Sequence, residues 1–161
     1  PSVFSLMPNF MERAGTSAQG SITGFFTVLV EGDDMDEPIA DAARSILDGH
    51  IVLSRALANR NHYPAIDVLE SISRCMPDII GDDHKVMTRI GKDLLSAYRE
   101  NEDLIQIGAY AQGSSGRIDK AISVHEALMQ YLRQDREEKI PFDDNITRLQ
   151  SILAAVAAQS G

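Results

Sequence analysis

Residues 22–30 read ITGFFTVLV, a nearly unbroken apolar run rich in aromatic and β-branched side chains. Such a run suits a strand covered on both faces, as in a parallel sheet. The acidic segment EGDDMDEP at 31–38 ends it. Pro38 stands at a good first helical position with carboxylates ahead of it. Ile39, Ala42, Ala43 and Ile46 then form an apolar stripe at helical spacing, and Gly49 is placed to stop the helix. HIVL at 50–53 reads as a second short strand and 55–60 as a helical turn or two. Tyr63-Pro64-Ala65-Ile66 reads as a turn entering an extended piece. Strand, helix and strand in this order give an α/β portion.

Toward the amino end, PSVFSLMP reads as a connecting segment running into a short helix. The chain begins with Pro1 rather than Met and carries no basic stretch followed by an apolar one, so it reads as opening mid-protein with no signal peptide. Beyond about Arg74 the pattern turns to helices alone. Asp82 or Asp83 can cap a helix with Val86, Ile90, Leu94 and Tyr98 on one side. A second helix is expected over 102–110, and AQGSSGR at 111–117 is a loop by composition. Ile118, Ile122, Met129 and Leu132 mark a third helix. After the polar connection DREEKIPFDD, a last helix starts near Asp144, with Ile146, Leu149, Ile152, Leu153 and Val156 inward. The expected division is therefore residues 1–75 as an α/β unit and 76–161 as an all-α bundle.

Composition fits this reading. The chain has 161 residues, 43% of them hydrophobic, with 15 Lys+Arg against 24 Asp+Glu and a net charge of −9. That length makes one medium domain or two small ones. An acidic balance disfavours non-specific binding to nucleic acid or anionic lipid. No apolar run approaches the ~18 residues of a membrane span. Cys75 is the lone cysteine, so no disulfide framework or zinc-type cysteine cluster exists. By default it is a small buried residue.

Few enzyme signatures are present. The chain lacks GxxxxGK[ST], GxGxxG and HExxH. His50, His62, His84 and His125 are too scattered for a metal site. Asp33, Asp34 and Asp36 resemble the start of a calcium loop, but its central glycine and closing glutamate are not in place. The stretch reads as a solvated loop or as a contact surface for a basic partner. Arg74 admits two readings. It is either a structural arginine paired with a carboxylate such as Glu70, or a cation aimed at a ligand. Tyr63, next to Pro64, either packs against the helical portion or offers its ring to a flat ligand.

Three ordered segments carry a resemblance to a known family. GSITGFFTVLVEGDDMDEPIAD (20–41), SILDGHIVLSR (45–55) and HYPAIDVLESISR (62–74) closely resemble the export ATPases of type III secretion, relatives of the α and β subunits of rotary ATP synthases. YRENEDLIQIGAY (98–110) and YLRQ (131–134) extend the resemblance over essentially the whole chain. The flagellar export ATPase is the nearest flavour, with the injectisome ATPase as its sibling and an ordinary rotary ATP synthase subunit ranked last. The resemblance implies the C-terminal half of a RecA-like nucleotide-binding domain, a mostly parallel sheet with helices, followed by a C-terminal helical domain. In the family the phosphate loop and the catalytic glutamate precede the matched part. ATP and Mg2+ are thus implied for the complete protein, and the fragment alone is expected to be inactive.

The resemblance makes Arg74, which closes the SISR motif, the arginine finger that reaches a nucleotide held by the neighbouring subunit. It makes Tyr63, which opens YPAID, the ring that packs on adenine, with Tyr131 as a loosely held second wall. It places Asp33, Asp34 and Asp36 toward a coiled-coil stalk protein. The further implications are a hexameric ring, contact with an export gate and chaperone–substrate complexes, and a cytoplasmic place at the membrane-embedded export apparatus. The alternative is a non-catalytic docking or regulatory module, motivated by the missing phosphate loop. A half-domain also implies uncovered apolar sheet surface and a tendency to self-associate.

Overall fold

A computed structural model describes the backbone of residues 2–158 and the side chains of 6–32 and 34–156. Helix α1 (Ser2–Met11), which carries Pro8 inside it, comes first among the described residues, so the expected short helix forms but begins already within the stretch read as its connecting segment. A small antiparallel hairpin follows, β1 (Gly15–Ser17) with β2 (Gly20–Ile22), joined through the turn at Ala18 and Gln19. The hairpin was not foreseen from the sequence.

The run 22–30 is not a paired strand. Only Ile22 lies in a ladder; residues 23–30 are irregular, with Phe25 and Leu29 about nine-tenths exposed (91% and 90%). The physical reason is a lack of partners, because a strand needs neighbours for its backbone groups and the described residues offer it none.

Helix α2 (Pro38–Ile46) forms as its sequence dictates, with Pro38 at the first position and Ala40 and Ala43 buried. Gly49 does not end it. The helix gives way at Leu47, and Gly49 opens strand β3 (Gly49–Leu53). There a Cβ would lie 2.7 Å from the Ile72 carbonyl oxygen, so glycine is required by close backbone approach. After α3 (Arg55–Asn59), capped by Ser54, strand β4 (Ile66–Ser73) runs antiparallel to β3. Both ladders among the described residues are antiparallel pairs, and no parallel pair forms among them.

The β3–β4 pairing contains a bulge. Gly49 and His50 face Ser73 and Ile72, whereas Val52 and Leu53 face Asp67 and Ile66. Ile51 alone therefore spans the stretch in which β4 uses residues 68–71. Ile51, Leu53 and Ile72 remain exposed.

The short α4 (Met76–Ile79) leads to the helical portion. Cys75 is exposed here, contrary to the buried default. Helix α5 is a single helix, Asp82–Gln106, that absorbs most of the second one expected over 102–110. Its N-cap is Gly81 without a side-chain cap, so Asp82 and Asp83 lie inside the first turn, where carboxylates complement the helix dipole. Helices α6 (Gly116–Leu132) and α7 (Phe142–Ala158) complete a bundle. Its core joins Leu94 and Ala97 of α5, Ala121, Val124 and Leu128 of α6, and Leu149, Leu153 and Val156 of α7. Each buried leucine contributes on the order of 1.5–3 kcal/mol. The α6 stripe differs from the expected one: Ala121 is buried and Ile122 exposed, because a small residue suits a close helix–helix approach.

Candidate functional site

Strand β4 carries the two nucleotide-site candidates near its opposite ends. Tyr63 precedes its first residue and Arg74 follows its last. The strand has 8 residues, so its two ends stand on the order of 20 Å apart at ~3.3 Å per residue. One protomer does not bring them together.

The backbone around Tyr63 is pinned while its ring is not. The Tyr63 carbonyl accepts a hydrogen bond from the Gln134 amide (2.9 Å), and the Tyr63–Pro64 peptide is cis. His62, only 1% exposed, accepts at Nδ1 from Arg133 Nε (3.4 Å). Burial, and then the Arg133 charge, hold the His62 pKa below its usual value, so it serves as a neutral acceptor. The Tyr63 ring is 54% exposed and thus open to a flat ligand rather than enclosed by the helical portion. Tyr131 packs against the bundle core, where burial raises its pKa.

Arg74 is exposed. Its amide donates to the Asp48 carbonyl (2.8 Å), and its Nη2 donates to the Arg44 carbonyl (3.3 Å). Arg44 lies in the last turn of α2, where carbonyls lack intrahelical partners. A cation at that helix end gains ~0.3–1 kcal/mol when exposed, a weak hold. Glu70 is not its partner, because that carboxylate pairs with Arg99 (3.3 Å). Among the described residues Arg74 forms no ion pair, so its charge remains available for an anion. Asp41, Arg44, Ser45, His50, Ile72 and Arg74 line a shallow depression of about 260 Å3.

The acidic loop turns through a 3-10 segment (Glu31–Asp33), with Gly32 at φ 64°. Its carboxylates are partly used by its own backbone: Asp34 Oδ1 accepts from the Asp36 amide (3.0 Å), and Glu37 Oε2 from the Glu31 amide (3.4 Å). Asp36 is almost fully exposed and lies 3.6 Å from Arg44 Nη2, which also reaches Asp41 at 3.2 Å. Asp34 and Asp36 therefore present charge to solvent. The Asp33 side chain lies outside the described residues.

Sequence reasoning missed the group that holds β4. Asp67 accepts from Arg99 Nη2 at both carboxylate oxygens (2.8 Å each), and from the Leu69 and Glu70 amides at Oδ1 (3.0 and 3.2 Å). Burial works to raise its pKa, but the Arg99 hydrogen bonds and charge, with those amides, outweigh it and hold the carboxyl below the usual range. Lys92 Nζ donates to the Ser71 carbonyl (3.1 Å), and Arg60 pairs with Glu102 (2.9 Å). The available signal was the spacing of Lys92, Leu95, Arg99 and Glu102, one face of a helix. Among the described residues no three His, Cys, Asp or Glu side chains converge as a metal site.

Residues 1–73 match the family described as ATP synthase alpha/beta family, nucleotide-binding domain, and residues 80–151 match the T3SS EscN ATPase C-terminal domain. The flagellum-specific ATP synthase of Treponema pallidum (strain Nichols) is 51% identical over 159 residues, covering 99% of this chain and 36% of the relative. A type 3 secretion system ATPase of Pseudomonas syringae pv. syringae is 48% identical over 149 residues, covering 92% of this chain and 33% of the relative. The assembled ATPase EscN from the type III secretion system of enteropathogenic E. coli superposes with a TM-score of 0.90 at 41% identity, over 95% of this chain and 37% of that one. EscN in complex with its central stalk EscO gives 0.84 at 40% identity, over 95% and 36%. The chain thus spans about a third of the length of the curated relatives it matches.

Proposed function

The chain belongs to the ATP synthase alpha/beta family, in the branch of flagellar and type III secretion ATPases, and from that membership we propose that the complete protein is an ATP hydrolase whose ring of subunits energises type III protein export, in its flagellar form. Residues 1–75 supply the C-terminal half of the nucleotide-binding domain and 76–161 the helical domain. Arg74 is the catalytic residue contributed to a nucleotide on the neighbouring subunit, and Tyr63 packs on the adenine of the subunit's own nucleotide. The observation that carries this reading is the separation of the two residues at opposite ends of β4, with the Arg74 guanidinium exposed and held only by a carbonyl.

The chemistry follows from charge. As the terminal phosphoryl group transfers, negative charge spreads over its equatorial oxygens. A planar guanidinium can donate two parallel hydrogen bonds to such oxygens and stays protonated throughout. Supplied from outside the binding subunit, it makes hydrolysis depend on ring assembly. Mg2+, when bound, neutralises phosphate charge, and its ligands belong to the part of the longer relatives that this chain does not span. Asp33, Asp34 and Asp36 face basic side chains of a coiled-coil stalk, a reading supported by the open carboxylates of Asp34 and Asp36. Such exposed contacts are individually weak and screened by salt. The helical domain borders the export gate and chaperone–substrate complexes, and the ring works in the cytoplasm at the export apparatus. Among the described residues no helix is long and apolar enough to cross a membrane.

The test is steady-state hydrolysis by the full-length ring carrying Arg74→Ala. A loss of roughly 10³–10⁵ in kcat, the range set by trans arginines in other nucleotidases, is expected. Unchanged turnover in a ring that still assembles removes the finger assignment.

A further inference from the structure

We propose that Arg99, on the helical domain, is a positioning residue for the arginine finger, acting through the bulge of β4; this rests on the reading of Arg74 given above. Arg74 follows immediately on β4, so its direction is fixed by how that strand ends. The strand does not run straight to that end. Between the pairs Val52–Asp67 and His50–Ile72, residues 68–71 bulge out of register. A bulge bends its strand and re-aims the residues that follow.

The bulge is held by side chains rather than by a ladder. Asp67 anchors its start, its Oδ1 gathering the Leu69 and Glu70 amides. Ser71 closes its end, donating from Oγ to the Asp67 carbonyl (2.6 Å) and accepting from the Val52 amide (3.0 Å). Helix α5 clamps both points. Arg99 grips both Asp67 oxygens and also reaches Glu70, while Lys92, two turns earlier on the same face, donates to the Ser71 carbonyl.

The Asp67 side chain is only 12% exposed, so its charge depends on that guanidinium for compensation. Without Arg99, Asp67 loses its cation and the bulge its outer tie, and the end of β4 is free to relax. A guanidinium that must meet phosphoryl oxygens within hydrogen-bond distance does not tolerate a shift of about 1 Å, which can cost ~100-fold in rate. Arg99 thereby makes finger geometry a property shared between the two domains.

The experiment is a double-mutant cycle in the full-length ring, with Arg99→Ala, Arg74→Ala and both together, reading kcat, KM for ATP, ring assembly and thermal midpoint. Arg99→Ala is expected to lower kcat by ~10–100-fold with KM little changed. In the Arg74→Ala background the same change is expected to cost nothing further, since the finger it positions is gone. Arg99→Lys, which retains a charged nitrogen for Asp67 but loses the second nitrogen's reach to Glu70, is expected to restore part of the rate; it stands in for the alanine variant if that ring fails to assemble. If Arg74→Ala lowers turnover and the Arg99 variants leave kcat unchanged, or act equally with and without Arg74, the positioning role is overturned and the finger stands. If Arg74→Ala itself leaves turnover unchanged, the finger reading fails and takes this inference with it.

Discussion

At the scale of single residues, the buried His62, the half-buried His125 and Asp67 give the chain an acid-sensitive profile. His62 and His125 both have pKa values below the usual 6.5, His62 by burial and then the Arg133 charge, His125 mainly by burial. The unfolded chain therefore binds their protons first, and stability falls as pH drops below 6.5. The Asp67 carboxyl lies below its usual 3.8, so its contribution is present above that value and disappears as pH falls through the folded pKa. Thermal midpoints measured against pH should show the first loss flattened in His62→Gln and the second removed in Asp67→Asn. At the same scale, Tyr63→Ala should raise KM for ATP in the full-length protein by about fivefold, the worth of ~1 kcal/mol of lost ring contact, whereas Tyr63→Phe should bind normally. Tyr63 and Arg74 were singled out only through the motifs that contain them. Nothing local to HYPAIDVLESISR reveals that Arg133, Gln134 and Arg99, far along the chain, hold that segment in place.

Among the elements, legibility tracks how much of each element's stabilisation is local. Helix α2 and the first strand of the β3–β4 pair were readable because Pro38, the apolar stripe of Ile39, Ala42, Ala43 and Ile46, and HIVL carry their own signals. The run 22–30 has the composition of a buried strand, but composition cannot supply partners. Helix α5 was read as two pieces, one with its apolar side ending at Tyr98 and another over 102–110. It continues because it packs on both sides, with Leu94 and Ala97 toward the bundle and Lys92, Arg99 and Glu102 toward β4 and α3. Two glycines test these accounts in opposite directions. A Cβ at Gly91, inside α5, would meet nothing within 4 Å. Gly91→Ala should therefore stabilise the chain by roughly 0.5–1 kcal/mol in denaturant titrations. Gly49→Ala places its methyl 2.7 Å from backbone and should lower the thermal midpoint by loosening β3 from β4 beside Arg74.

For the whole molecule, the decisive feature is apolar surface without cover. Phe25, Leu29, Ile51, Leu53 and Ile72 are all exposed, and 23–30 leaves backbone groups outside any ladder. Surfaces of this kind are ordinarily interfaces. The isolated chain should therefore self-associate in a concentration-dependent manner by light scattering, and Phe25→Ser with Leu29→Ser should reduce it. A monodisperse monomer at every concentration tested contradicts this. The division into an α/β portion and a helical bundle was legible because hydrophobic periodicity changes near residue 75. The antiparallel pairing and its bulge were not, because pairing is a relation between distant segments.

Helix α5, 25 residues without a break, is roughly 38 Å long at ~1.5 Å per residue. It grips β4, the strand that runs out into Arg74, through Lys92 and Arg99, and its far end at Gln106 opens onto the loop toward α6. Arg99 stands two turns from that end, roughly 10 Å at ~1.5 Å per residue, so a pull on the distal loop is expected to reach β4, and Arg74 just beyond it, with little slack in between. Inserting a single proline between Arg99 and Gln106 should then act as a clutch, disengaging the distal loop from the grip on β4.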